Sequence, residues 1–237
     1  MQDRFLGVLM LATQFPRPPG DIGNARSFDF PVRFAVVAAA TPRRVVKEHA
    51  DGLLPAFHAA AQTLVGEGAA VLTTSCGFLA LHQRALATAV DVPFATSSLL
   101  QLPLLQALHG SDAVGVLTID AASLGAEHLA AVGASADTPV EGVAPESEFA
   151  RCILGDAPDM NLDQARRDVV RAAMRLRECA PSLRAIVLEC TNMPPYADAI
   201  AAATGCAVYD ILGLCRHLWL AAQRTSGSGR QDTTRLP

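Results

Sequence analysis

The chain has 237 residues, 51% hydrophobic and 18% charged, with a formal net charge of −4. This composition belongs to an ordinary globular protein with a sizeable core, and with no basic tract it offers nothing to a nucleic-acid phosphate backbone. The longest early apolar run, Phe5 to Ala12, is too short to span a bilayer and lacks the basic start and cleavage site of a secretory signal, so no membrane association and a cytoplasmic location are expected.

In chain order, Phe5 to Ala12 reads as a buried strand, followed by a long turn-rich loop, Phe15-Pro-Arg-Pro-Pro-Gly-Asp-Ile-Gly-Asn. Val32 to Ala40 is a second continuous apolar run, and Val45 to Gly66 has helical spacing. Ala69 to Thr74 is a third strand, ending in Ser75-Cys76-Gly77, with a helix expected over Phe78 to Val90. A short strand over Val92 to Thr96 ends in Ser97-Ser98, and Leu99 to Leu108 reads as a helix with Pro103 in its first turn.

The pattern then begins again. Gly115-Val-Leu-Thr-Ile resembles Gly7-Val-Leu-Met-Leu and lies a similar distance ahead of Cys190 as Gly7 does of Cys76, a weak internal repeat. Helices are expected over Ala122 to Val132, Glu146 to Leu154 and Leu162 to Cys179, with a strand over Val140 to Ala144. Leu183 to Glu189 is the strand that delivers Cys190, and Pro194-Pro195 suit the opening turn of the next helix, capped by Thr191 or Asn192. Cys206 to Asp210 is a last strand and Ile211 to Arg224 a closing helix. Strands alternating with helices mean an α/β protein with parallel sheets. The expected organisation is two pseudo-symmetric flavodoxin-like lobes around an interlobe site. Residues 1–110 with 206–224 form the first, 111–205 the second, and 225–237 a disordered polar tail.

The six cysteines contain no CxxC pair, so neither zinc clamps nor a disulfide framework is indicated. Two of them, Cys76 and Cys190, follow strands and precede helices, where open parallel sheets place their ligand-binding loops. Related by a rough two-fold axis, these thiols would view one ligand from opposite faces. A cysteine at a helix N-terminus has its pKa lowered by the helix dipole and free N–H groups, and the amides around Gly77 and Thr191-Asn192 can hold a carboxylate. One thiolate would then remove a proton beside a carboxylate while the opposing thiol returns one, inverting the centre. Cys152, Cys179, Cys206 and Cys215 read as core residues. Arg17 is read either as a bidentate carboxylate clamp or as solvated surface, and Asp210 as a cleft residue or a helix cap. The histidines form no paired metal spacing and no metal is expected. The one lysine, Lys47, falls on an expected surface helix, which argues against pyridoxal phosphate, and no phosphate-binding glycine loop occurs. No cofactor is expected.

At these residues the chain resembles the aspartate/glutamate racemase superfamily. The resemblance is carried by Thr74-Ser75-Cys76-Gly77 and by Glu189-Cys190-Thr191-Asn192-Met193-Pro194, with Pro93 and Ser97-Ser98 after the first site. It implies a cofactor-independent racemase or isomerase of a small carboxylate or amino-acid derivative, with Cys76 and Cys190 catalytic. Thr13, Arg17, Ser75, Gly77, Phe78, Ser97, Ser98, Thr191 and Asn192 are then expected around the substrate. Glutamate racemases follow their first cysteine with Asn-Thr and their second with Thr-His. Here Gly77-Phe78 and Thr191-Asn192 stand instead, and Ala12-Thr13-Gln14 replaces an Asp-Ser pair, which argues against glutamate. The family's arylmalonate decarboxylase keeps one cysteine; both are present here. A maleate-isomerase-like cis–trans isomerase with a covalent cysteine adduct and a non-catalytic ligand-binding module are the alternatives. A homo-oligomer is expected, as symmetric association is common.

Overall fold

Two four-stranded parallel sheets have the same internal order, the second strand outside the first and the third and fourth following on its other side. In the computed structural model, which describes residues 4–225, the first half comprises β1 (Phe5–Leu11), β2 (Val32–Val37), α1 (Pro42–Val46), α2 (Leu54–Gly66), β3 (Ala69–Thr74), α3 (Gln83–Ala87), β4 (Phe94–Ala95) and α4 (Leu102–His109). The second comprises β5 (Val114–Thr118), α5 (Ala126–Ala131), β6 (Val140–Gly142), α6 (Glu148–Gly155), α7 (Leu162–Cys179), β7 (Ala185–Leu188), α8 (Ala197–Thr204), β8 (Ala207–Tyr209) and α9 (Ile211–Thr225). The sheets run β2-β1-β3-β4 and β6-β5-β7-β8. Each therefore reverses winding direction between its first and third strands, and the crevice at their carboxyl ends is where such folds bind ligands.

The apolar runs explain the layers. All seven residues of β1 are buried, and alternation sends them to opposite faces. Phe5, Leu9 and Leu11 enter the main core. Leu6, Val8 and Met10 meet Ile211, Cys215 and Trp219 of α9. The closing helix thus covers the first sheet, whereas β8 pairs with β7 in the second. Of the segment expected to cross back to the first lobe, only the helix does so.

Four further expectations are corrected. β2 is a sheet edge with exposed Phe34 and Val36 rather than a buried run. The helix expected over Val45 to Gly66 is broken into α1 and α2, because His49 and Ala50 adopt positive φ (53° and 57°) and Gly52 follows at 68°. Cys179, read as core, is exposed at the end of α7. The helix opened by Pro194-Pro195 takes Met193 as its cap, without a side-chain bond, because Thr191 and Asn192 are engaged elsewhere. Asp210 caps α9, its Oδ1 accepting from the Gly213 N–H at 2.8 Å. The expected tail lies outside the described residues from 226 onward. No helix among the described residues is long and apolar enough to cross a membrane.

The halves are fastened near the crevice by buried hydrogen bonds. The Ser98 hydroxyl donates to the Leu188 carbonyl at 2.6 Å and that of Thr191 to the Ser75 carbonyl at 2.7 Å. Because Ser98 is fully buried, Ser98→Ala strands the Leu188 carbonyl, and urea unfolding should report a loss of about 1–3 kcal/mol.

Candidate active site

The two strands at the winding reversals end in equivalent ways. The Ser75 N–H donates to the Leu9 carbonyl at 3.0 Å and the Glu189 N–H to the Leu117 carbonyl at 2.9 Å, so Ser75 and Glu189 continue their ladders by one residue. Cys76 and Cys190 come next, and both line the cleft between the lobes. Cys76 is extended (φ −151°, ψ 117°) and opens a 3-10 turn over Gly77–His82, a tighter start than the α-helix expected from Phe78.

The cleft, with about 360 Å³ of atom-free space that is partly open to solvent, has a polar floor and apolar walls. Beside the cysteines stand Arg17, Ser75, Gly77, Phe78, Thr191 and Asn192; the walls include Leu11, Phe15 and Ile119. Six of the nine residues expected around a substrate are thus brought together with both cysteines. Thr13, Ser97 and Ser98 are not. Ser97 caps the turn after β4, its hydroxyl accepting from the Leu99 N–H at 3.2 Å, and the Ser98 hydroxyl donates to Leu188; both serines are fully buried and neither lines the cleft. Thr13 acts one step back, accepting from Arg17 Nη2 at 2.8 Å.

A continuous polar chain holds Cys190. Its thiol donates to Asn192 Oδ1 at 3.6 Å, and Asn192 Nδ2 donates to Asp21 Oδ2 at 2.7 Å. The other Asp21 oxygen accepts from Arg17 Nη1 at 2.8 Å and from the Gly23 N–H at 2.7 Å. Asp21 is only 1% exposed; a buried carboxylate needs such a full set of donors. The Arg17 guanidinium also lies 4.5 Å over the Phe15 ring, which fixes it at the cleft edge.

Neither thiol has the lowered pKa expected from a helix N-terminus. Burial pushes Cys76 up, with Glu189 adding to it, and the Phe78 N–H and Arg17 only partly oppose them. Cys190 is pushed well up by burial and then by Glu189, against the Asn192 N–H. Desolvation outweighs the local donors because both sulfurs sit in an apolar enclosure.

Glu189 closes the strand that delivers Cys190, a position for which the sequence motif implies no role. It is fully buried, its Oε2 accepts from the Thr118 hydroxyl at 2.6 Å, and Oε1 has no partner. Burial, opposed by that hydroxyl and aided by Asp120, pushes its pKa up to about 8. A charged residue closing an all-apolar strand was the available signal, because glutamates are almost never fully buried without a reason. Asp21 and Phe15 lie in a proline-rich loop whose pattern gives no such signal.

The raised carboxyl has a consequence for stability. Against an ordinary value of 4.5, a folded value of about 8 means the folded chain binds more protons than the unfolded one between those pH values. This contribution is therefore lost as pH rises. Between about pH 5 and pH 8 the cost should reach about 3–4 kcal/mol. Glu189→Gln should remove that slope, read by urea denaturation of both proteins at each pH.

No family model matches the chain. It is 31% identical over 234 residues to dimethylsulfoniopropionate lyase 7 of Emiliania huxleyi (strain CCMP1516), covering 89% of this chain and 64% of that protein. To a dimethylsulfoniopropionate lyase of Durusdinium sp. clade D it is 29% identical over 222 residues, covering 87% and 71%. The chain thus spans about two thirds of the length of these relatives. A solved glutamate racemase isoform of Bacillus anthracis superposes with a TM-score of 0.62 at 14% identity, over 96% of this chain and 84% of that one. Aspartate racemase and arylmalonate decarboxylase structures share the fold.

Proposed function

We propose, from the premise that the chain has the fold of the aspartate/glutamate racemase superfamily, that it is an enzyme whose cleft thiolate removes the proton α to a carboxylate. The outcome we favour is β-elimination of dimethylsulfoniopropionate, the substrate in its relatives' names. The observation that carries the proposal is that one cysteine from each lobe lines the same cleft. The relatives direct the choice between outcomes.

The steps balance without an added reactant. A thiolate takes the α-proton and becomes a thiol; the C–H electron pair forms the Cα–Cβ double bond; the Cβ–S bond breaks with its pair on sulfur. Dimethyl sulfide and acrylate leave, and the thiol returns its proton to water. Charge building on the substrate carboxylate meets the amides beside Cys76 and Cys190 and the Arg17 guanidinium, donors already in place before the reaction. The raised thiol pKa values leave only a minor thiolate fraction to react.

A racemase is the second reading, favoured by the presence of two cleft thiols. With a chiral α-carbon and no leaving group, the same first step ends in reprotonation by the opposite thiol. Incubation with dimethylsulfoniopropionate should give dimethyl sulfide in the headspace and an equal amount of acrylate by proton NMR. Absence of both, together with inversion and α-deuteration of a chiral amino acid in deuterated water, would transfer the proposal to the racemase.

A further inference from the structure

Besides the thiols, the described cleft lining carries two ionisable side chains, Arg17 and Glu189. Arg17 is balanced by Asp21. Glu189 is not balanced by any cation, and its Oε1 is an unpartnered polar atom in a fully buried residue, a costly arrangement. The strand does not require it. The first lobe fills the equivalent position with Ser75, whose hydroxyl is satisfied by the Leu11 N–H at 2.9 Å. The turn after Cys76 even makes room for it, since a Cβ on Gly77 would lie 2.4 Å from Oε1.

We infer that Glu189 is the counter-ion for the onium head of a zwitterionic carboxylate substrate, with Arg17 and the turn amides at the carboxylate end. This rests on the elimination reading above and names the group that selects its substrate class. A cleft with one guanidinium and one carboxyl complements a molecule with one carboxylate and one fixed cation. Near neutral pH the Glu189 carboxyl, at about 8, carries its proton. An onium head has no proton to share and favours the ionised form, so binding expels a proton to solvent. When dimethyl sulfide leaves as a neutral molecule, the carboxyl takes a proton back, and the balance closes.

The test uses two inert-headed carboxylates of one shape: 3-(trimethylammonio)propionate and its neutral isostere 4,4-dimethylpentanoate. Calorimetric titration near neutral pH, in two buffers of different ionisation heat, gives affinity and protons released. The onium ligand should bind tighter than the isostere by about tenfold or more and release close to one proton, whereas the isostere releases none. Glu189→Gln should abolish both the preference and the release while still binding the isostere. The inference is overturned if the wild-type protein shows no onium preference, binds without proton release, or binds neither ligand, and equally if Glu189→Gln keeps the preference. The wild-type proton count stands even if the variant does not fold. Onium preference without dimethyl sulfide production would keep the subsite and remove the lyase; dimethyl sulfide production without the preference would do the reverse.

Discussion

Alanine at Cys76 and at Cys190 should have unequal effects on dimethyl sulfide release. An elimination needs a single base, so one variant should fall by about 10²–10⁴-fold, the usual contribution of a positioned proton acceptor, and the other by much less. A two-base inversion predicts instead that both variants lose turnover alike. Serine should not rescue the more damaged variant, because a hydroxyl is far harder to ionise than a thiol. Cys206→Ala, which removes a buried sulfur donating only to main-chain carbonyls of Leu183 and Thr204, should leave the rate nearly unchanged. Headspace quantification of dimethyl sulfide under substrate saturation reads all four, and equal losses for the two cleft variants would favour racemisation.

Gly77→Ala should be the most damaging substitution outside the cysteines. The added methyl would stand 2.3 Å from the Glu189 main-chain oxygen and 2.4 Å from its Oε1. The main chain there is tied by the Glu189 N–H to Leu117, so the turn holding Cys76 must move. Displacement of a catalytic group on that scale costs about 10²-fold in rate, and the overpacking should lower stability by about 1–3 kcal/mol. Gly66→Ala is the control: nothing lies within 4 Å of its Cβ position, and stability should stay level or rise by about 0.4–1 kcal/mol. Rate and urea midpoint measured on both variants separate a local steric effect from a general one.

The strands and their order were largely legible, because a buried parallel strand is an uninterrupted apolar run and each half repeats the same grammar. β3 occupies Ala69–Thr74 and α7 Leu162–Cys179, the spans expected from sequence. The break between α1 and α2 is masked by the alanine-rich spacing on either side, although Asp51-Gly52 is a turn signal. Serine has several uses in a loop, and sequence alone does not separate a cap (Ser97) or an interlobe tie (Ser98) from a ligand contact. The direction of the thiol pKa shifts is likewise not legible in the sequence. Helix position is written in the sequence, but the depth of burial that overrides it depends on Leu11, Phe15, Ile119 and Ile153 converging from distant segments. For the same reason Glu189 was visible as a letter and not as a cleft group.

The central claim is that the Cys76 and Cys190 thiols serve a single small carboxylate between them. Its most direct test is alkylation with iodoacetate followed by peptide mass mapping, the exposed Cys179 replaced by serine. The account predicts one carboxymethyl group per molecule, on Cys76 or on Cys190 but not on both, with loss of turnover and protection by 3-(trimethylammonio)propionate. Labelling of both cysteines in the same molecule, or of neither while turnover is lost, would contradict it.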